Sequence, residues 1–161
     1  MTASISIRVA TGTDAATVST ATVGIDFISA DNATYSTANR QAYPITAGSY
    51  SYEKWLIAYV DAPPDNGVSL FKWYGDGGTM ASTDLFIGTT VTGVTPINTV
   101  SSVATNNWST YTGGNKFVWH NTSLTATAET TQYAVMQLLI DATANPGTWE
   151  SEVLSYSFEE T

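Results

Sequence analysis

Between Tyr50 and Asp61 the chain reads "YSYEKWLIAYVD", and sorting it at period two leaves no purely polar face. One face carries Tyr50, Tyr52, Lys54, Leu56, Ala58 and Val60, and the other Ser51, Glu53, Trp55, Ile57 and Tyr59. Aromatic and β-branched residues at this density fit a pleated strand. A strand that is apolar on both faces needs cover on both. The segment is therefore expected to be a central strand with material packed above and below it.

The neighbouring sequence extends this expectation. Pro63-Pro64-Asp65-Asn66-Gly67 is a turn, because Pro lacks an N–H and Gly tolerates positive φ. Val68 to Tyr74 then alternates again, so the two runs are expected to pair as an antiparallel hairpin. Gly75-Asp76-Gly77-Gly78 ends the second run. It is not expected to cradle a phosphate, since no Lys follows and no helical pattern begins there.

Period-two patterns also mark Ile5 to Val9, Val23 to Ile28, Asp84 to Thr90, Ile97 to Val103, Lys116 to His120, Thr122 to Ala128, and Trp149 to Glu159 as strands. Gln132 to Asp141 is apolar on every side and is followed by Asn145-Pro146-Gly147, which favours a buried strand over a helix. Asp31 to Gly48 reads as a long polar loop, and loops of that length often bind partners. Short strands at near-regular spacing, joined by polar turns, predict one all-β domain over residues 1–161, an antiparallel β-sandwich or jelly roll.

Composition narrows the function. Charged residues make up 12% of the 161, and the formal net charge is -9. The cations Arg8, Arg40, Lys54, Lys72 and Lys116 are scattered, whereas phosphate neutralisation needs several clustered ones. No nucleic-acid partner is expected. The chain has no Cys, so disulfides and thiolate metal sites are excluded. Met1 to Ala10 has no long apolar run, so neither a signal peptide nor a membrane span is expected.

Candidate chemistry is sparse. His120 is the single histidine, no Gly-x-Ser-x-Gly elbow accompanies it, and a strand-end role is expected. Glu53, Asp61, Glu150 and Glu152 lie on expected strands, with Glu150 and Glu152 on one face. Glycoside hydrolysis needs such facing carboxyls, but a solvated edge strand uses the same pair against aggregation. Asp61, Asp65 and Asp76 lack the spacing of a calcium loop. Trp55, Trp73, Trp108, Trp119 and Trp149 suit a core or an interface better than a sugar platform. No enzyme activity, cofactor or metal is expected.

Two stretches, "SYSYEKWLIAYVDAPPDNGVSLFKWYGDGG" and "YAVMQLLIDATANPGTWESEVLSYSFEET", resemble small β-rich structural proteins of tailed bacteriophage virions. The matching positions are Glu53 to Leu56, Phe71 to Gly75, and Tyr156 to Glu159. The resemblance implies a virion part assembled in the host cytoplasm. That part would be a capsid decoration (cement) protein touching the major capsid protein, or a tail or baseplate component. It also implies a homo-oligomer, expected to be a trimer at local threefold positions. A carbohydrate-binding module is the alternative of another class. Two regions are expected to make partner contacts. One is the N-terminal segment, with Thr2, Ser4, Ile5 and Ile7, as a free arm that adds to a partner's sheet edge. The other is the long loop, with Asp31, Tyr35, Arg40 and Tyr43.

Overall fold

The computed structural model describes residues 2–77, 80–145 and 152–160. Among these residues nine strands form two antiparallel sheets. The strands are β1 (Ser4–Thr11), β2 (Thr17–Val18), β3 (Lys54–Ala62), β4 (Val68–Tyr74), β5 (Thr83–Thr90), β6 (Asn106–Asn107), β7 (Phe117–His120), β8 (Tyr133–Ile140) and β9 (Ser155–Glu160). The large sheet has the order β2-β1-β3-β8-β5-β6 and the small sheet β7-β4-β9. The expected all-β sandwich is the observed fold.

The two-faced pattern of β3 has a direct structural cause. Leu56, Ala58 and Val60 point between the sheets, where they meet Phe71 and Trp73 of β4 and Trp119 of β7. Trp55 points the other way, into a second cluster with Ala10, Ala15, Ala104 and Val135. There the cover is loop rather than sheet. Trp55 stands edge-on to Tyr133, with ring centroids 5.2 Å apart.

The expected hairpin is not formed. β3 pairs with β1 on one side and β8 on the other, while β4 pairs with β7 and β9. Residues 63–67 therefore carry the chain from one sheet to the other. Both edges of β3 are filled by other partners, and the two prolines at 63 and 64 cannot donate to a ladder between the runs. Val68 instead exchanges backbone hydrogen bonds with Leu124, at 2.9 and 2.8 Å.

Three other expected strands differ. Residues 23–28 are not a strand, although Ile25 and Phe27 pack on the main core and Ile28 is buried. Residues 97–103 are a loop whose backbone is held by side chains. The Ser101 N–H donates to Gln137 Oε1 at 2.9 Å, and Gln137 Nε2 donates to the Thr99 carbonyl at 2.8 Å. Residues 122–128 contribute one isolated bridge, Leu124 to Val68. The last strand begins at Ser155, so Glu152 precedes it. Trp149, Glu150, Gly78 and the 146–147 part of the last turn lie outside the described residues.

The N-terminal segment is no free arm. Ser4 to Ala10 is paired with β3 from Ala62 to Trp55. Its other edge accepts from Ser19 N at the Val9 carbonyl (2.8 Å) and from Thr22 N at the Ile7 carbonyl (2.9 Å). Ile7 and Val9 are buried between the sheets. Alternating residues fit a sheet interior as well as an arm, and here the hydrophobic face was decisive.

Candidate functional site: the loop over Lys54

The long loop contains a short helix, α1 (Thr37–Ala42), which the sequence reading missed. The Ser36 hydroxyl oxygen caps it by accepting from the Asn39 N–H at 3.1 Å. Ala38, Arg40, Gln41 and Ala42 are good helix formers, so Ser36 followed by these residues was the available signal.

The helix places Arg40 against Asp26. Arg40 NH1 donates to Asp26 Oδ1 at 2.5 Å, and the Ser36 N–H donates to Asp26 Oδ2 at 2.7 Å. The Asp26 carboxylate is 3% exposed and the Arg40 side chain 27%. This hydrogen bond raises the pKa of Arg40, so its charge is held firmly. The guanidinium also lies over the Tyr35 ring, 5.1 Å from its centre. Tyr35 in turn sits on Gly24: a Cβ at that glycine would fall 2.7 Å from the ring.

Beneath the loop, the first residue of β3 is a buried lysine. Lys54 Nζ donates to the Asn32 carbonyl at 2.9 Å and to the Ala30 carbonyl at 3.4 Å. Burial lowers its pKa to about 8, against the opposing pull of Asp31 and Asp26. Asp31 accepts from the Gly12 N–H at 2.7 Å through Oδ2 and so ties the loop to the end of β1. The Tyr43 carbonyl accepts from the Ser29 N–H at 3.0 Å and closes the loop on itself.

The loop is thus braced at four points, and it presents Tyr35 (47% exposed) and Tyr43 (42%) outward, while the guanidinium of Arg40 turns inward onto Asp26. Of the expected contact residues, the structure gathers Asp31, Tyr35, Arg40 and Tyr43 into this one region. Thr2 and Ser4 are exposed at the start of the chain, Ile5 is half-buried and Ile7 is buried in β1. Asp26 and Lys54 were not foreseen. The signal for Lys54 was a lone cation within an apolar strand.

The other candidate groups have structural partners. Glu53 is buried and accepts from Trp55 Nε1 at 2.9 Å. Glu152 accepts from Trp108 Nε1 at 3.1 Å beside a cavity of about 170 Å³. Asp61 pairs with Arg8 at 3.1 Å. Trp55, Trp73, Trp108 and Trp119 are all core residues, so none offers a face for stacking a sugar. His120 closes β7, where burial lowers its pKa and its Nδ1 accepts from the Gln132 N–H at 3.4 Å. Among the described residues no group of three His, Asp or Glu is placed to hold a metal ion. Among the described residues no helix is long and apolar enough to cross a membrane. No family model, curated protein or solved structure matches the chain.

Proposed function

We propose that this chain is a structural protein of a tailed-phage virion, a capsid decoration protein that stabilises the shell by protein–protein contacts and not by catalysis. The observation that carries the reading is the exposed Tyr35–Tyr43 surface, braced from behind by Arg40 on Asp26. Tyr is one of the residue types on which interface energy concentrates. A loop already fixed by Asp26, Asp31 and Lys54 loses little further entropy on docking. Repeated over a shell, even a modest contact gains from avidity. The resemblance around Glu53 to Leu56, Phe71 to Gly75 and Tyr156 to Glu159 supplies the virion context. The major capsid protein is the partner that context implies.

The test uses virions from the lysate in which the chain is made. Immunogold labelling should decorate heads, and the purified chain should bind heads stripped of it and raise their heat resistance. A Tyr43→Ala variant should keep its melting temperature and bind at least about tenfold more weakly, a loss of about 1.4 kcal/mol. Label confined to tails moves the protein to the tail. Unlabelled particles together with retention on a glycan column overturn the structural reading.

A further inference from the structure

The sandwich has four sheet edges, and three are blunted. β2 and β6, at the ends of the large sheet, are two residues long. At the edge of the small sheet, the β7 carbonyl of Trp119 accepts from Thr89 Oγ1 at 3.1 Å and from Gln132 Nε2. The fourth edge, β9, differs. It runs six residues, and among the described residues its backbone bonds only to β4. Long unprotected edges are templates for strand addition, and proteins usually suppress them.

The side chains of β9 say what would fit. Tyr156 and Phe158 face the core, packed on Trp73 and Phe71 with ring centroids 5.7 and 5.8 Å away. Both remain only partly buried. Ser155 and Ser157 lie opposite Tyr74 and Lys72 on the outer face, and Glu159 pairs there with Lys72 at 3.0 Å. An added strand must therefore bring apolar residues to the inner face and, opposite Glu159, an uncharged donor group to the outer one.

We propose that β9 is a self-association edge, which pairs antiparallel with β9 of a second copy about a twofold axis at Ser157. In this register Tyr156 meets Phe158 of the other copy, and Ser155 meets Glu159. The partly buried rings then cover each other, and each Ser155 hydroxyl has the Glu159 carboxylate of the other copy as acceptor. The alternative same-face register, centred on Phe158, brings the Glu159 carboxylates of the two copies closer together. Centring on Ser157 sets Glu159 and Glu160 at opposite ends of the paired ribbon, which matters for a chain of net charge -9. The two small sheets would become one six-stranded sheet across the dimer. The contact is smaller than a standard interface, so the expected dissociation constant is about 10–1,000 µM. This inference stands independently of the virion reading.

The test exploits a chain without cysteine. Directly opposed antiparallel residues have Cα atoms about 4.5–5.5 Å apart, within disulfide range. Ser157→Cys should therefore form a disulfide-linked dimer on mild oxidation, while Ser155→Cys should cross-link at least tenfold more slowly. In sedimentation velocity the wild-type chain should show concentration-dependent dimer. Ser157→Glu should remain monomeric with an unchanged melting temperature, because Lys72 and Lys116 flank that position in the monomer. A wild-type chain that stays monomeric to about 1 mM, or equal cross-linking at 155 and 157, overturns the proposal.

Discussion

Lys54 is the residue at which burial and charge oppose each other most directly. Its ammonium holds the Ala30 to Asn32 turn, yet it is 1% exposed. Burial lowers its pKa from 10.5 to about 8. Between those two values the unfolded chain keeps a proton that the folded chain releases, so this group's contribution to stability rises with pH across that window. Below pH 8 the folded state carries the cost of a buried charge, at most about 3 kcal/mol. Lys54→Met removes the titration, while its effect on the Ala30 and Asn32 carbonyls is constant with pH. Urea melts at pH 7.5 and 9.5 should show the wild-type chain gaining about 1–2 kcal/mol relative to Lys54→Met at the higher pH. Parallel stability curves would show that the amine keeps its ordinary pKa in the folded protein.

At the scale of elements, the decisive feature is how strands share edges. β1 pairs with β3 over Ser4 to Ala10, and the chain after β2 crosses back over its other side at Ser19 and Thr22. β5 approaches the 101–104 loop so closely that a Cβ at Gly88 would fall 1.8 Å from the Val103 carbonyl oxygen, which makes that glycine a packing requirement. A deletion of residues 2–7 takes half of β1 away, strips the upper edge of β3 and opens the core at Ile7. Loss of one such buried aliphatic alone typically costs about 2–5 kcal/mol, and a single domain has about 5–15 kcal/mol in all. The deleted chain should therefore lose its cooperative urea transition and its near-ultraviolet dichroism. A sharp transition with the wild-type slope would return the N-terminus to the status of an arm.

For the whole molecule, charge balance sets the behaviour in salt. Fourteen acidic groups face five basic ones, and the basic ones are occupied. Arg8, Arg40 and Lys72 are in ion pairs, Lys54 is buried, and Lys116 lies 4.3 Å from the centre of the Tyr74 ring. The remaining carboxylates repel one another over a surface with little positive charge to offset them. Sodium chloride screens that repulsion. Raising it from low to near-molar concentration at pH 7 should lift the melting temperature by about 2–4 °C, the shift expected for roughly 1 kcal/mol in a domain of this size. A melting temperature that falls with salt would mean that the ion pairs outweigh the repulsion.

Local patterning alone determined a good deal. The run Tyr50 to Asp61 declared a central strand because both of its faces are apolar, and from Lys54 onward it is one. Gln132 to Asp141 read as a strand because it lacks a polar face and runs into Pro and Gly. The tryptophans at 55, 73, 108 and 119 read as core or interface, and they are core. In each case side-chain chemistry and spacing carry the information, and both are visible in a short window. Partner choice was not visible there. That β3 pairs with β1 and β8, while β4 crosses to the other sheet, depends on which edges remain free once all strands compete. The Arg40–Asp26 pair and the Lys54 anchor arise from the same cause, since they join residues that are adjacent only after the loop folds over the start of β3. Hydrogen-bond ladders and buried charges are satisfied globally, and only the tertiary structure decides which distant group satisfies which.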